Sequence, residues 1–382
     1  MSSVRCVPGK DFPAPSTASP RPSNSVSAPS SPHPSTPAPS APTDARPVKI
    51  GVVAIGRNEG ERLALCLESV LHAERAVVYV DSGSTDGSVD YARRRGAEVV
   101  ELDMSRPFTA ARARNAGFER LLEVAPETEL VQFLDSDCEL VEGWMERGAR
   151  ELQEHAHVAV VCGRRQERHR DASVYNRLCD MEWDAQLGDV AFCGGDALMR
   201  VDAFRAAGGF NPNVIAGEEP ELCVRLRAAG HVIRRLDTTM TLHDAAMTRF
   251  VQWWRRAKRH GHAAAESAHR HGEAGGTGDV RRVGSALFWG TVVPLGALAS
   301  FGVGALVDCV CLGLVGVGLA LIAYLLLSLR IVRSRLNHGD SSRDARDYAL
   351  FCVLGKLPES LGILRYQANR VRGRTSPIIE YK

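Results

Sequence analysis

Two rhythms of apolar and polar positions alternate along residues 48–245. Short runs rich in β-branched side chains, such as VKIGVVAI at 48–55, are typical of strands buried on both faces of a sheet. The stretch EGERLALCLESVLHA at 59–73 instead places apolar side chains three or four residues apart, which is the helical period. Strands that alternate with helices at this spacing predict an α/β fold around a doubly wound, mostly parallel sheet.

Polar clusters follow three of the predicted strands directly. They are Arg57-Asn58-Glu59, the segment DSGSTDGS at 81–88, and Asp135-Ser136-Asp137. In sheets of this kind, ligands bind beyond the carboxyl ends of the strands. We therefore expect the three clusters to share one site at one edge of the sheet.

The two ends of the chain have different patterns. Residues 1–46 are rich in Pro, Ser and Ala, with almost no large apolar side chains, so we expect a disordered tail that lacks the apolar core of a signal peptide. Residues 283–307 and 310–329 contain no charged side chain, and each run approaches the roughly 20 residues that cross a bilayer. They predict a C-terminal transmembrane helical hairpin over 283–330, the alternative being two helices buried in a soluble core.

Charge and cysteine usage refine this picture. The whole chain has a net charge of +2, but residues 281–382 hold 13 Lys/Arg against 6 Asp/Glu. Basic residues beside long apolar runs are typical of a membrane-associated segment and not of a nucleic-acid patch, and basic flanks on both sides of the hairpin place both of its ends in the cytoplasm. Ten cysteines without a CxxC pair indicate neither a zinc site nor a disulfide framework, and favour a reducing compartment.

The aspartates of the third cluster are candidate metal ligands. Asp135 and Asp137 are alternate residues at a strand end, so both carboxylates can approach one Mg²⁺ or Mn²⁺ ion. The competing interpretation is a solvated turn or a helix cap. The second cluster is equally open between a ligand-binding loop and an ordinary turn, in which Gly83 permits a tight bend and Ser84 or Thr85 caps the next helix.

Six motifs in order resemble the family 2 glycosyltransferases. They are NEG (58–60), VDSGSTDGS (80–88), ARN (113–115), LDSDCEL (134–140), GGDALMRVDAFRAAGGFN (194–211) and GEEPEL (217–222). The resemblance covers about residues 48–245 and implies the GT-A fold, with a Rossmann-like sheet. It also implies an inverting transfer from a nucleotide-diphospho-sugar donor with the help of Mg²⁺ or Mn²⁺.

The resemblance also implies roles for individual residues. Those expected to bind the nucleotide or donor are Asn58, Glu59, Asp81, Asp86, Arg114 and Asp135. Asp135 and Asp137 match the family's metal-binding Asp-x-Asp pair, of which the second aspartate is the more direct ligand. The acceptor side is matched by Gly194, Gly195 and Asp196.

The general base is the least certain of these roles. Glu219 falls where many relatives have the Asp of a Glu-Asp pair, so the assignment stays open among Glu218, Glu219 and Glu221, with Glu219 preferred and Glu218 second. The base would take the proton of an acceptor hydroxyl as it attacks the anomeric carbon. Without the resemblance, these carboxylates would be read as helix-dipole partners in a first turn.

Three features near the C-terminal half complete the predictions. His243 follows a strand and is either a further metal ligand or a structural histidine. Residues 249–263 mix aromatic and basic side chains, which favours an interfacial helix; Gln252-x-x-Arg255 matches only part of the QxxRW motif of processive synthases. Residues 348–364 are apolar but contain Lys356, Pro358 and Glu359, which indicates an interfacial or re-entrant segment.

The sequence thus predicts a membrane-anchored glycosyltransferase that faces the cytoplasm at the inner membrane. Its predicted parts are the tail at 1–46, a glycosyltransferase domain at 47–275, the hairpin at 283–330, and a cytoplasmic or interfacial tail at 331–382. The donor is a nucleotide-diphospho-sugar, and the acceptor is a lipid-linked or saccharide intermediate of polysaccharide or glycolipid synthesis. The alternatives are a nucleotidyltransferase, which would need a Gly-rich basic loop where AIGRNEGERL stands, and an inactive nucleotide-sugar-binding or scaffold protein.

Overall fold

The computed structural model describes residues 48–72 and 75–374. The tail predicted at 1–46 lies outside these residues. The described part contains a nine-stranded sheet with helices along the chain between its strands, followed by long helices toward the C-terminus. The α/β class that the sequence predicts is therefore confirmed.

The strands form one mixed sheet in the order β3-β2-β1-β4-β8-β6-β9-β5, with β7 paired to β9. Their bounds are β1 Ile50–Gly56, β2 Val77–Asp81, β3 Glu98–Glu101, β4 Leu130–Asp135, β5 Cys138–Leu140, β6 Val158–Glu167, β7 Gly188–Asp189, β8 Ala197–Arg200 and β9 Val232–His243. Strands β3, β2, β1 and β4 run parallel to one another, and β8 enters antiparallel between β4 and β6. Buried apolar side chains on both faces of the central strands explain their near-continuous apolar sequence.

The register brings the predicted polar clusters together. Gly56 at the end of β1 is paired with Asp81 of β2, and Ile55 is paired with Asp135 of β4. The carboxyl ends of three neighbouring strands therefore meet at one edge, as the sequence predicts.

The helices that follow these strands are amphipathic and pack by their apolar sides. Their bounds are α1 Glu61–Val70, α2 Ser88–Arg95, α3 Ala110–Val124, α4 Trp144–Glu154, α5 Val174–Trp183, α6 Val201–Ala206, α7 Glu218–Ala228 and α8 Phe250–His271. Helix α3 lies so close to the sheet at Gly117 that a Cβ on this residue would be 2.4 Å from Val53 and 2.7 Å from Val80. This close approach carries Arg114, one turn earlier on α3, toward the carboxyl edge of the strands.

Strand β9 is one long strand of 12 residues. It pairs in parallel with β6 and antiparallel with β5. The sequence pattern does not predict the short strand β5. The pairing of Cys138 with His243 sets the histidine beside the Asp-x-Asp turn, 106 residues earlier in the chain at Asp137.

Two long apolar helical segments follow α8. The first, Asp279–Leu306, contains α9 Asp279–Leu287, a π-helical turn Phe288–Val292, and α10 Val293–Leu306; the second is α11 Val310–His338. They are 28 and 29 residues long and are apolar enough to cross a membrane, which agrees with the predicted hairpin. The last helix, α12 Ser342–Val371, returns to pack against α8 and contains Pro358 in its interior.

Candidate active site

A cleft of about 530 Å³ opens where β1, β4 and β9 end. Its volume falls within the range of small-molecule binding sites. The sequence-predicted residues that line it are Asn58, Glu59, Asp135, Asp137 and His243. Its other lining residues are Ile55, Gly56, Arg57, Arg62, Ser82, Phe108, Ala110, Ser136, Arg165, Cys179, Trp183, Ala245, Met247, Arg256 and Arg259.

Asp137 and His243 form the acidic and imidazole pair of this cleft. Oδ2 of Asp137 lies 3.3 Å from Nε2 of His243, and both side chains are buried. On the other side of the ring, Nδ1 of His243 lies 3.2 Å from Oε2 of Glu167. Burial lowers the pKa of His243, but the Asp137 and Glu167 carboxylates outweigh this effect and raise it overall.

The chemistry of this pair fits a divalent cation. A metal-binding histidine usually has a carboxylate on its second ring nitrogen, and here Glu167 contacts Nδ1 while Nε2 faces Oδ2 of Asp137, so these two atoms could share one cation. The carboxylate of Asp137, the thiol of Cys138 and the ring of His243 present ligand atoms within 4.8 Å of one another. The buried hydroxyl oxygen of Ser136, between the two aspartates, makes no hydrogen bond within the described part of the chain. A group bound in the cleft would supply its missing partner.

Asp135 has different surroundings, because two arginines hold it. Its Oδ1 accepts a hydrogen bond of 2.6 Å from Nη2 of Arg114, and its Oδ2 accepts one of 3.3 Å from Nη2 of Arg165. The same Arg114 donates through Nη1 to Oε1 of Glu218, also at 2.6 Å. One buried guanidinium thus bridges the strand β4 aspartate and the start of α7, and Asp137 is better placed than Asp135 for a cation.

Arg165 lies between the two predicted sides of the site. Its Nη2 atom is 2.7 Å from Oδ2 of the fully buried Asp196, and its guanidinium carbon lies 5.5 Å from the ring centre of Trp183. The predicted acceptor-side residues Gly194 and Gly195 border a small recess together with Arg165 and Trp183. Gly195 permits this crowding, because a Cβ there would lie 2.9 Å from Oδ2 of Asp135 and 3.1 Å from Arg114.

The loop residues at the ends of β1 and β2 hold one another in place. Asp81 accepts hydrogen bonds from the Gly83 and Ser84 amides, at 2.9 and 2.8 Å. Asp86 accepts from the Gly60 amide at 3.1 Å and from Ser88, so it joins the two loops at the start of α2. Asn58 adopts a left-handed conformation with φ 54°. The turn is present, but the predicted capping of α2 by Ser84 or Thr85 is wrong, because Gly87 is the N-cap residue. The nucleotide-binding role of Asp81 and Asp86 stays a prediction.

Asn58 and Glu59 are held by further contacts. The Asn58 side chain accepts from the Thr85 amide at 2.7 Å, which ties the first loop to the second. Glu59 lies 2.6 Å from Arg62, one turn ahead at the start of α1. The two loops thus form one rigid wall of the cleft.

The three candidate bases at the start of α7 have distinct partners. Glu218 binds Arg114, and Glu221 binds Arg225 at 2.6 Å. Oε1 of the buried Glu219 accepts from the Cys193 amide at 2.6 Å, which places this carboxylate next to the Gly194-Gly195 segment. Burial would raise the pKa of Glu218, but the positive charges of Arg114 and Arg259 outweigh it, so the pKa lies below its ordinary value.

The thiols beside Glu219 remain protonated. Burial, together with Cys223 and Glu219, raises the pKa of Cys193, and burial raises the pKa of Cys223 to about 11. Their sulfur atoms lie 3.0 and 3.1 Å from Oε1 of Glu219, so both thiols can donate to it.

Several cleft residues have no counterpart in the sequence-based prediction. Arg165 and Glu167 lie on β6, Trp183 ends α5, and Arg256 and Arg259 lie one turn apart on α8. Arg256 pairs at 2.7 Å with the buried Glu182, beside Trp183. The side chains of α8 that reach the cleft lie one and four residues beyond Arg255 of the partial Gln252-x-x-Arg255 match.

Comparison with known proteins agrees with the motif series. Residues 52–206 match the model of the glycosyl transferase family 2. The succinoglycan biosynthesis protein ExoA of Rhizobium meliloti is 26% identical over 205 residues, which cover 49% of this chain and 60% of that protein. The pre-mycofactocin glycosyltransferase of Mycobacterium tuberculosis is 27% identical over 233 residues, which cover 58% of this chain and 48% of that protein. The chain thus spans about half to three fifths of these curated relatives.

Among solved structures, the fold is similar to that of the mannosyltransferase PcManGT from Pyrobaculum calidifontis, determined in complex with GDP-Man and Mn²⁺. The TM-score is 0.52 at 17% identity, and the match covers 84% of this chain and 90% of that one. This likeness confirms the GT-A fold that the motif series implies.

Proposed function

We propose that this chain, whose residues 52–206 match the model of the glycosyl transferase family 2, is an inverting, metal-dependent glycosyltransferase at the cytoplasmic face of the inner membrane. Its donor is a nucleotide-diphospho-sugar, and its acceptor is a lipid-linked or saccharide intermediate of polysaccharide or glycolipid synthesis. The observation that carries the proposal is the pairing of Asp137 with His243 at one cleft, beside an Asp135 that two arginines hold.

The donor is assigned to the cleft between the two loops and β9. The hydroxyl of Ser82, like that of Ser136, lines this cleft and makes no hydrogen bond within the described residues, so both can accept a ligand contact. Arg256 and Arg259 add positive charge from the opposite wall, where a diphosphate would be favoured. In this proposal, Asn58, Glu59, Asp81 and Asp86 bind the nucleoside part of the donor or hold the loops that surround it.

The metal position is assigned to Asp137 and His243. A divalent cation held there, Mg²⁺ or Mn²⁺, supplies positive charge for the diphosphate that departs. Glu167 orients the His243 ring, and Asp135 organises the arginines around the same edge. PcManGT, which shares the fold, was solved with GDP-Man and Mn²⁺. For this chain the ion remains part of the proposal.

We assign the general base to Glu219. The pKa of Glu218 lies below its ordinary value beside Arg114, which makes Glu218 a weak proton acceptor, and the Glu221 carboxylate is held by Arg225 at 2.6 Å. Glu219 receives hydrogen bonds from an amide and from thiols next to Gly194. In the proposed step it takes the proton of the acceptor hydroxyl, whose oxygen bonds to the anomeric carbon. The bond from that carbon to the diphosphate breaks, and the nucleoside diphosphate leaves.

The names of two relatives support a saccharide or lipid-linked acceptor. One relative is a protein of succinoglycan biosynthesis and another is a pre-mycofactocin glycosyltransferase. The two long apolar helical segments support a location at a membrane, where a lipid-linked acceptor would lie close to the cleft. The boundaries at 47–275, 283–330 and 331–382 belong to this same proposal.

The test is a transfer assay on the full chain in phospholipid nanodiscs. Labelled nucleotide sugars are supplied in turn with Mn²⁺ or Mg²⁺ and a bacterial lipid extract, and labelled product and released nucleoside diphosphate are both measured. We expect one donor class to be consumed only in the presence of the cation. The Asp137→Ala variant should lose this activity, while Glu142→Gln, an exposed carboxylate change five residues away, should keep it.

The alternatives give different results in the same assay. Pyrophosphate released from a nucleoside triphosphate and a sugar phosphate would identify a nucleotidyltransferase. Saturable binding of a nucleotide sugar without turnover, with either cation and with the lipid extract present, would identify an inactive binding protein. Undiminished transfer by Asp137→Ala would refute the metal assignment alone.

A further inference from the structure

Helix α12 differs from a helix on the surface of a soluble protein because its outer side is apolar and its buried side holds charged groups among small and apolar residues. The side toward the protein carries the charged and polar residues Lys356, Glu359 and Ser360, which are all buried. The side away from it carries large apolar residues that are 40–53% exposed, namely Leu350, Leu354, Leu357, Leu361 and Leu364. Soluble proteins seldom expose a contiguous apolar stripe of this size.

The spacing of these leucines makes one continuous face. Successive members are four, three, four and three residues apart, and at 100° per residue they fall within an arc of about 80°. The buried residues of α12 lie on the opposite side of the helix. An outer face of leucine over an inner side that contains buried charged groups is the arrangement expected where the surrounding medium is hydrocarbon.

The buried charged residues of α12 form ion pairs with α9 and with each other. Glu359 accepts from Arg282 of α9 at 2.8 Å and from Lys356 at 3.2 Å. The backbone of α12 also approaches the π-helical turn closely, because a Cβ on Gly290 would lie 2.0 Å from the Lys356 carbonyl oxygen. Displacing α12 would leave the Arg282 guanidinium without the Glu359 carboxylate, so this ion pair fixes α12 to the first apolar segment.

This contact determines what medium the leucine face meets. Gly290 lies within the segment Asp279–Leu306, whose length and composition suit a membrane span. Exposed apolar side chains of that segment, such as Val292 and Leu295, follow directly after the crossing point. The leucine face of α12 is therefore continuous with the apolar surface of a candidate span.

We infer that the outer face of α12, formed by Leu350, Leu354, Leu357, Leu361 and Leu364, is a third membrane-contacting surface that lies in the lipid beside the two spans. The occupant of this face is phospholipid, at the depth where acyl chains meet the headgroups. Basic residues near the end of the helix, Arg365, Arg370 and Arg372, match the anionic headgroups of such a surface.

This placement also orients the catalytic part of the chain. Asp344 and Asp347 at the start of α12 bind Arg170 and Arg177 at 2.9 Å each, and Arg177 lies on α5, the helix that ends at Trp183 in the cleft wall. Helix α8, which supplies Arg256 and Arg259 to the cleft, packs along α12. A lipid-bound α12 would hold the cleft close to the bilayer surface. The inference does not depend on which reaction the cleft performs.

The test measures the environment of single positions in the full chain. Cys6, Cys309, Cys311 and Cys352 are replaced by alanine, and the six remaining cysteines are buried. One cysteine is then introduced by Leu354→Cys, by Leu361→Cys or, as a control on the catalytic domain, by Leu65→Cys, an exposed leucine of α1. Each is labelled with an environment-sensitive fluorophore in nanodiscs of phosphatidylethanolamine and phosphatidylglycerol.

We expect labels at 354 and 361 to lose most of their fluorescence when the lipids carry brominated acyl chains, and to be insensitive to iodide in the buffer. The label at 65 should show the opposite pattern. Iodide quenching at 354 and 361 would show that the face lies in water and would overturn the inference. Protection from both quenchers, with energy transfer between differently labelled copies, would show that a second copy covers the face, which would also overturn it.

Discussion

Arg114 and Glu218 are 104 residues apart in the sequence, yet Nη1 of the arginine lies 2.6 Å from Oε1 of the glutamate. The second amino group of the same guanidinium lies 2.6 Å from Asp135. This single buried side chain fixes the distance between the strand that carries the Asp-x-Asp motif and the helix that carries the candidate base. Its geometry leads to the first prediction.

Replacement of Arg114 by lysine should lower kcat by about a hundredfold, because a lysine cannot hold both carboxylates in one planar fork. The charge is kept, so the fold should survive with a smaller loss of stability than an alanine change causes. Arg120→Lys on the exposed side of the same helix is the matched control and should retain its rate. Steady-state kinetics and thermal unfolding of both variants are the measurements; equal rates would refute the bridging role.

Glu219→Gln should lower kcat by about 10²- to 10⁴-fold, since the amide oxygen still accepts from the Cys193 amide but takes up no proton. Glu221→Gln should leave kcat close to that of the parent protein. Glu218→Gln should chiefly raise KM through a loosened Arg114. Rates measured across pH for the three variants decide the assignment. A larger kcat loss in Glu221→Gln than in Glu219→Gln would move the base to position 221.

Gly195→Ala should abolish most activity at a modest cost in stability, about 1–3 kcal/mol. The added methyl group would lie 2.9 Å from Asp135 and 3.1 Å from Arg114, so the ion-pair cluster would have to move. The control is Gly284→Ala on α9, where a Cβ meets nothing within 4 Å. Parallel transfer assays and thermal unfolding separate the two effects. Full activity in Gly195→Ala would show that the cluster tolerates displacement.

The docking of α12 on the catalytic part should weaken at acid pH. Burial raises the pKa of Asp344, but hydrogen bonds from Arg170 and Ser341 outweigh it, so the folded-state pKa lies below the ordinary 3.8. A lowered carboxyl pKa stabilises the fold above the unfolded pKa, and this contribution is lost as the pH falls through the folded one. The parent protein should therefore exceed Asp344→Asn in stability, by about 1 kcal/mol near neutral pH.

That advantage should shrink below about pH 4. Thermal unfolding in nanodiscs at several pH values measures it. Asp171→Asn is the control, because Asp171 also lies near Arg170 but is largely exposed, and it should show no such dependence. A stability of Asp344→Asn equal to that of the parent protein at neutral pH would contradict the lowered pKa.

Local patterns along the chain define most of the strands and helices and the chemistry of the strand ends. Buried β-branched runs predict the parallel strands correctly, and helical periods predict the helices between them. Both patterns reflect local burial, on two faces for a central strand and on one face for a helix. The polar clusters at 57–59, 81–88 and 135–137 meet at one edge because the carboxyl ends of parallel strands must do so. The uncharged runs after residue 282 likewise define the two apolar helical segments through length and composition alone.

The division of tasks among those groups depends on tertiary contacts. The pairing of β5 with β9 brings His243 to Asp137, and the antiparallel insertion of β8 brings Asp196 and Gly195 against Asp135. Arg165 and Trp183 enter the site from segments that have no local motif. Such contacts depend on strand order and register between distant segments, and no period or spacing along the chain encodes them. The outward position of the leucine face of α12 also depends on such contacts, since a helical pattern shows two faces but not which one meets the protein.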